Sequence, residues 1–258
     1  VSVMLIRAGV SPIATLPIAF LAGALAGMVT GLLNTALGIP GILASILTQI
    51  SLYSINLNIM GKANQPVSVD NYPLVVSLRY VTDGSVSRLL FFLGMIVFLL
   101  ALIAVMYWYF GTEQGHAIRA TGCNSNMARA QGINTNFIKV LALMISNGLV
   151  GLCGALYGQF QGASDVNMGR GAIVIGLAAV IIGEVLVGKF ASKRKLAFAF
   201  TLASVILGAV IYYMVYQFVL WLKMPSEDMK LFSAIVVAIF LAIPYLKEKR
   251  TLRKGASK

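Results

Sequence analysis

The arrangement with the most obvious chemical potential is Gly183-Glu184-Val185-Leu186-Val187-Gly188-Lys189. It has the spacing of a phosphate-binding loop, two glycines separated by four residues and then a lysine. That chemistry also needs a Ser or Thr after the lysine to hold Mg²⁺, and a strand before it. Here Phe190 follows and a long apolar run precedes, which argues against nucleotide binding. Glu184 is the one acid inside an apolar run, and a carboxylate in hydrocarbon is a candidate functional group because its burial is costly. Pairing at the interface with Lys189 or with Lys193, Arg194 and Lys195 is the plainer account of it. Cys123 and Cys153 have no CxxC partner, and His116 is the single histidine. No HExxH, paired carboxylates or Ser-His-Asp spacing is present, so no catalytic residue, metal or cofactor is expected, and the chain is not expected to be an enzyme.

Non-covalent chemistry has better candidates. Ser45, Thr48, Gln49 and Asn56 fall on about a third of a helical turn at 100° per residue. Polar groups inside hydrocarbon turn toward other helices or water, so this stripe, with Asn147, is a candidate wall of a solute path. Hydrogen bonding between helices would place the same residues in the same way. Gly23, Gly27 and Gly31 form a small-xxx-small face, and Asn147, Gly151, Gly154, Gly158 and Gly162 form another. Such faces let two helix backbones approach closely.

The most distinctive polar stretch is Gly111 to Asn136, GTEQGHAIRATGCNSNMARAQGINTN. It predicts a helix of one or two turns over Gln114–Ala120, broken at Gly122. A second short helix starts with Asn124 or Ser125 as N-cap, runs through Met127, Ala128 and Ala130, and stops at Gly132. Met127 and Ala128, adaptable or small, suit the cleft of a partner protein. An ordinary connecting loop is the alternative.

These groups must be positioned by membrane helices. With 59% hydrophobic and 11% charged residues and a mean hydropathy of +0.88, the chain is predicted to be an all-α, polytopic membrane helix bundle. Seven apolar segments are near the roughly 20 residues needed to cross about 30 Å of hydrocarbon. They are Pro12–Leu33, Ile39–Met60, Leu89–Phe110, Phe137–Phe160, Gly171–Gly188, Leu196–Leu222 and Met229–Leu246. Val1–Ile6 looks like the tail of an earlier span, and the start at Val1 suggests that an upstream piece is missing or removed. The membrane domain is expected over residues 1–246, with 247–258 a basic tail. The net charge of +12 falls almost entirely between apolar runs. If each segment crosses once, thirteen basic residues, including Arg119, Arg129, Lys139, Lys189 and the C-terminal cluster, share one side. Seven, from Arg7 to Lys230, share the other. That bias predicts a cytoplasmic C-terminus and a cytoplasmic 111–136 stretch. The outer gap Gly61–Arg88 has strand character over Val67–Val81 and room for a docking surface.

GHAIRATGCNSNMARAQGIN, followed by GLVGLCGALYGQFQG and GRGAIVIGLAAVIIGE, resembles bacterial ABC-importer permeases of the branched-chain amino acid and ribose class, from about Pro12 to Pro244. Within that class it is most similar to a subgroup associated with aromatic amino acid uptake. The resemblance implies a permease of a bacterial inner or cytoplasmic membrane that dimerises with a second copy, docks separate cytoplasmic ATPase subunits and receives its solute from an extracellular binding protein. The neutral path residues point to a small neutral solute, an amino acid among the candidates. The resemblance further implies an ATPase contact made by Arg119, Ala120, Thr121, Gly122, Asn124, Met127, Ala128, Arg129 and Gly132, and it implies no nucleic-acid partner. A self-contained secondary transporter or channel is the competing expectation, with thin support from Glu184 alone.

Overall fold

A computed structural model of the chain describes residues 1–67, 72, 74–77, 85–169, 172–191 and 197–221. Among them are nine helices and two short strands, so the fold is an all-α membrane bundle. The chain divides into two compact units, Val1–Gly169 and Arg170–Lys258.

In the first unit, α1 (Ser2–Arg7) leads into α2 (Pro12–Thr35), which opens with Pro12 in its first turn. Proline is tolerated there because its missing N–H would have no helical partner in any case. Helix α3 (Gly41–Met60) ends at Gly61, whose φ of 68° closes the turn at little steric cost. The long apolar α4 (Ser85–Phe110) is followed by two short helices, α5 (Glu113–Cys123) and α6 (Ser125–Ala130), and then by α7 (Thr135–Gln161). Strands β1 (Asn64–Pro66) and β2 (Ala163–Asp165) pair antiparallel with Gln65 opposite Ser164. This ladder joins the end of α3 to the end of α7. It lies before the segment Val67–Val81 where sequence suggested a strand; the described residues there, 67, 72 and 74–77, are not in one.

Helices α2 and α7 are the closest-packed pair of the first unit and run antiparallel. The small-residue spacing of α2 is the cause. A Cβ on Gly31 would stand 2.9 Å from the Val140 Cα, and one on Gly27 would stand 2.7 Å from the Leu143 carbonyl carbon. Glycine alone lets the two backbones touch. From α7, Gly148 admits the ring of Phe20 and Gly151 admits the Ala19 carbonyl. The sequence face therefore needs correcting: Gly148 belongs to the contact, Gly154 meets nothing within 4 Å, and Gly162 is a left-handed cap with φ 65°.

The second unit contains α8 (Ala172–Ala191) and α9 (Ala197–Trp221), again antiparallel. Gly183 lies against the Ser204 carbonyl and Gly208 against Ala179, over buried Ala178, Ile182 and Tyr212.

Five described helices are long and apolar enough to cross a membrane: Pro12–Thr35, Gly41–Met60, Arg88–Phe110, Thr135–Gln161 and Phe198–Phe218. These are five of the seven expected segments, and the expected Gly171–Gly188 falls on the 20-residue α8. The segment Met229–Leu246 and the basic tail lie outside the described residues. Leu90, Val97 and Trp108 of α4 and Ile42 and Ile50 of α3 are exposed, as suits elements whose solvent is hydrocarbon.

Candidate functional site

The phosphate-loop spacing can be set aside on geometry. Helix α8 runs without interruption through Gly183–Lys189, so its backbone N–H groups are committed to helical hydrogen bonds and cannot cradle a phosphate. Glu184 is exposed on this helix; the side chains of Lys189, Lys193, Arg194 and Lys195 lie outside the described residues.

The 111–136 stretch is a pair of capped helices. Thr112 caps α5, its Oγ1 accepting from the Gly115 N–H at 3.4 Å. Gly115 is buried where a Cβ would collide with the backbone of Tyr109 and Phe110, which folds α5 tightly back on the end of α4. The expected break at Gly122 does not occur, and α5 continues to Cys123. A glycine in the last turn costs about 1 kcal/mol against alanine, which local packing can outweigh. The true corner is Asn124, in extended conformation, whose Oδ1 accepts from the N–H groups of Asn126 and Met127 at 3.1 Å each. At the far end Gly132 takes φ 84°. Its N–H donates to the Arg129 carbonyl and the Ile133 N–H to the Ala128 carbonyl, which is the glycine-terminated motif that satisfies the last carbonyls of a helix. Asn134 then caps α7, accepting from the Phe137 N–H at 3.2 Å.

The candidate contact residues divide by exposure. Met127 is 63% exposed and Ala128 only 4%. Arg119, Ala120, Gly122, Asn124, Arg129 and Gly132 are exposed, while Thr121 is buried with its Oγ1 unpartnered among the described residues. Ala128 therefore packs into its own chain and Met127 projects from it. Arg129 donates from Nε and a terminal nitrogen to Thr135 Oγ1 at 3.3 and 3.0 Å. Thr135 is buried in the first turn of α7, so this pair ties α6 directly to α7.

The polar stripe is less uniform. Thr48 is buried and receives a 2.9 Å hydrogen bond from Thr30 Oγ1 of α2. Ser45 and Gln49 are exposed and Asn56 half-buried; Ser45 donates back to its own helix at Gly41 and Ile42. Asn147 is half-buried and donates to the Leu143 carbonyl at 2.9 Å. Of the five, only Thr48 is engaged with a second helix in the hydrogen bonds described.

A further polar group was missed by sequence reasoning, for it lies beyond the marked stripe and beside the glycine face. Gln159 is 1% exposed. Its Nε2 donates to the Pro12 carbonyl at 3.1 Å and to Thr15 Oγ1 at 3.3 Å, and its Oε1 accepts from the Val75 N–H at 3.1 Å.

Comparison with known proteins gives a consistent picture. The family described as branched-chain amino acid transport system, permease component, matches residues 1–244. A tyrosine transport system permease protein of Clostridioides difficile is 39% identical over 234 residues, 91% of this chain and 74% of that protein. An autoinducer 2 import system permease protein of Yersinia pseudotuberculosis is 27% identical over 226 residues, 86% of this chain and 59% of that protein. An inner membrane ABC transporter permease protein of Escherichia coli K12 is 25% identical over 178 residues, 69% of this chain and 53% of that protein. No solved structure matches. With spanning helices packed through glycine, and a match along nearly its whole length, the chain belongs to the branched-chain amino acid transport system permease family, the membrane components of ABC-type transport systems.

Proposed function

We propose that the chain is the membrane subunit of an ATP-driven importer for a small neutral solute, an aromatic amino acid in the first instance. ATP is hydrolysed on separate cytoplasmic subunits docked on α5 and α6, two copies of the permease pair in the membrane, and an extracellular binding protein delivers the solute. The observation that carries this reading is the build of α6. It is six residues long, capped at both ends, presents Met127 outward and is tied through Arg129 to α7. A helix so short has little stability of its own, and its caps preserve a shape that a partner can push against. A push on Met127 passes through the Arg129–Thr135 pair to α7, and through the backbone contact at Gly23, Gly27 and Gly31 to α2. The two long helices then move as one body, which is what reorienting a solute path requires. Ser45, Thr48, Gln49, Asn56 and Asn147 are the proposed wall of that path, and their neutrality suits a solute without net charge. The aromatic preference follows the name of the 39% identical relative.

In this arrangement Arg119, Ala120, Gly122, Asn124, Met127, Arg129 and Gly132 form the contact face, and Thr121 and Ala128 support it from beneath. Met127→Glu tests the reading, because the exposed position spares the fold while the interface would bury an unpaired carboxylate. That costs several kcal/mol, with about 1.4 kcal/mol per tenfold in affinity. The expected result is a folded permease that no longer co-purifies with its ATPase and no longer takes up labelled tyrosine into vesicles. Normal assembly and uptake by Met127→Glu would make 111–136 an ordinary loop. Uptake by the wild-type chain with no ATPase present would identify a secondary transporter instead.

A further inference from the structure

We infer that Gln159 is a positioning residue that latches the segment Leu74–Ser77 to the α2–α7 pair and so couples that segment to α6. Its two ends do different work. The amide nitrogen holds the first turn of α2 at Pro12 and Thr15, and the oxygen holds the Val75 N–H. Thr15 is itself fully buried and gives its proton to the Pro12 carbonyl at 2.7 Å, so Ser2 Oγ, 2.8 Å away, must be the donor to it. One carboxamide thus joins α2 and the 74–77 segment to α7, and Thr15 extends the network to Ser2 of α1.

The chemistry is specific to glutamine. Glutamate could accept from Val75 but would set a carboxylate against the Pro12 carbonyl, and leucine could do neither. Around it, Leu74 packs on Val3, Ile6 and Val67, and Ser77 is buried. Water cannot replace the lost bonds cheaply in such surroundings. Val75 is 39% exposed, so the latch holds a segment whose outer surface is open.

The position along α7 gives the latch its consequence. Thr135, which receives Arg129 of α6, lies 24 residues before Gln159 in one unbroken helix, about 36 Å at 1.5 Å per residue. The glycine contacts with α2 lie between them. A displacement of α7 at its Thr135 end therefore moves the anchor of Val75 at the other. Given the ATPase docking proposed above, nucleotide binding on one side changes the exposure of the 74–77 segment on the opposite side, and linkage makes the effect reciprocal.

The test is amide hydrogen exchange on the purified permease–ATPase complex with and without a non-hydrolysable ATP analogue. In the wild type, exchange over 74–77 should change at least fivefold on adding the analogue. In Gln159→Leu that response should be lost, while the complex still assembles and residues 125–130 still respond. Val75→Pro removes the same hydrogen bond from the other partner without altering any helix, should behave alike, and decides the matter if Gln159→Leu fails to assemble. A generally loosened fold would raise exchange over 74–77 with and without nucleotide and leave the ratio intact. A wild type with no nucleotide response over 74–77, or an assembled Val75→Pro that keeps one, overturns the latch alone. If no ATPase co-purifies with the wild type, the importer reading fails and the latch's role falls with it.

Discussion

Gly27→Ala is the most direct perturbation of the body on which any coupled motion depends. A Cβ there would stand 2.7 Å from the Leu143 carbonyl carbon and 2.9 Å from the Met144 Cα. These are backbone atoms, so no rotamer change relieves the clash, and α2 and α7 must part by about half an ångström or more to regain ordinary contact. Overpacking of this kind costs about 1–3 kcal/mol. Alanine returns up to about 1 kcal/mol through its higher helix propensity. Gly154→Ala in α7 is the matched control, since its Cβ meets nothing within 4 Å, and it receives the propensity gain alone. The difference between the two variants therefore isolates the steric cost, at about 2–4 °C in melting temperature per kcal/mol for a chain of this size. Thermal unfolding in one detergent, followed by loss of the monodisperse peak, measures it. A Gly27→Ala protein that melts with or above Gly154→Ala would show that the helices are not held at backbone contact.

Two further outcomes are expected. Asn124→Ala removes the acceptor for two N–H groups at the start of α6 and should cost about 0.5–2 kcal/mol locally. It should reduce uptake while leaving the melting temperature within a few degrees, so unchanged uptake would mean that α6 need not be preformed. For topology, in a background without Cys123 and Cys153, cysteine at Asn64 should react with an impermeant thiol reagent in intact cells and cysteine at Met127 should not. Labelling at both would contradict a single crossing by α4, the one long apolar helix described between them.

The parts that sequence made legible are those governed by local rules. Caps at Asn124 and Gly132 follow from side-chain hydrogen bonding and from positive φ, both properties of a few adjacent residues. The boundaries of α2, α3, α4 and α7 fall within about four residues of the apolar runs because hydrocarbon permits little but continuous helix. Legibility ended where a second element decides. Gly122 reads as a breaker, yet α5 passes through it, in a helix whose buried Gly115 and Thr121 already fix its course. The α7 glycines mark one face by spacing, but the contact is centred toward Gly148 and Gly151, because the position of Phe20 and Ala19 on α2 sets it. The ladder forms at Asn64–Pro66, a short polar stretch, since its partner Ala163–Asp165 is brought there by α7.

Gln159 shows why burial, and not polarity, identifies the consequential polar residue in such a bundle. By composition it is indistinguishable from Gln49 and Gln161. Gln49 lies on an exposed face of α3, and Gln161 is exposed, donating to the Tyr157 hydroxyl at 2.7 Å. Either could trade its bonds for other partners at small net cost. Gln159 cannot, because it is itself buried and the groups it satisfies come from two separate parts of the chain, the first turn of α2 and Val75. Moving any one of them leaves a buried polar group unpaired, at about 1–3 kcal/mol each. The first turn of α2, the end of α7 and the 74–77 segment are therefore favoured to move together. At the opposite end of α7 the buried Thr135 accepts from Arg129, so a helix held against α2 by glycine packing is bonded near one end to α6 and near the other to the 74–77 segment.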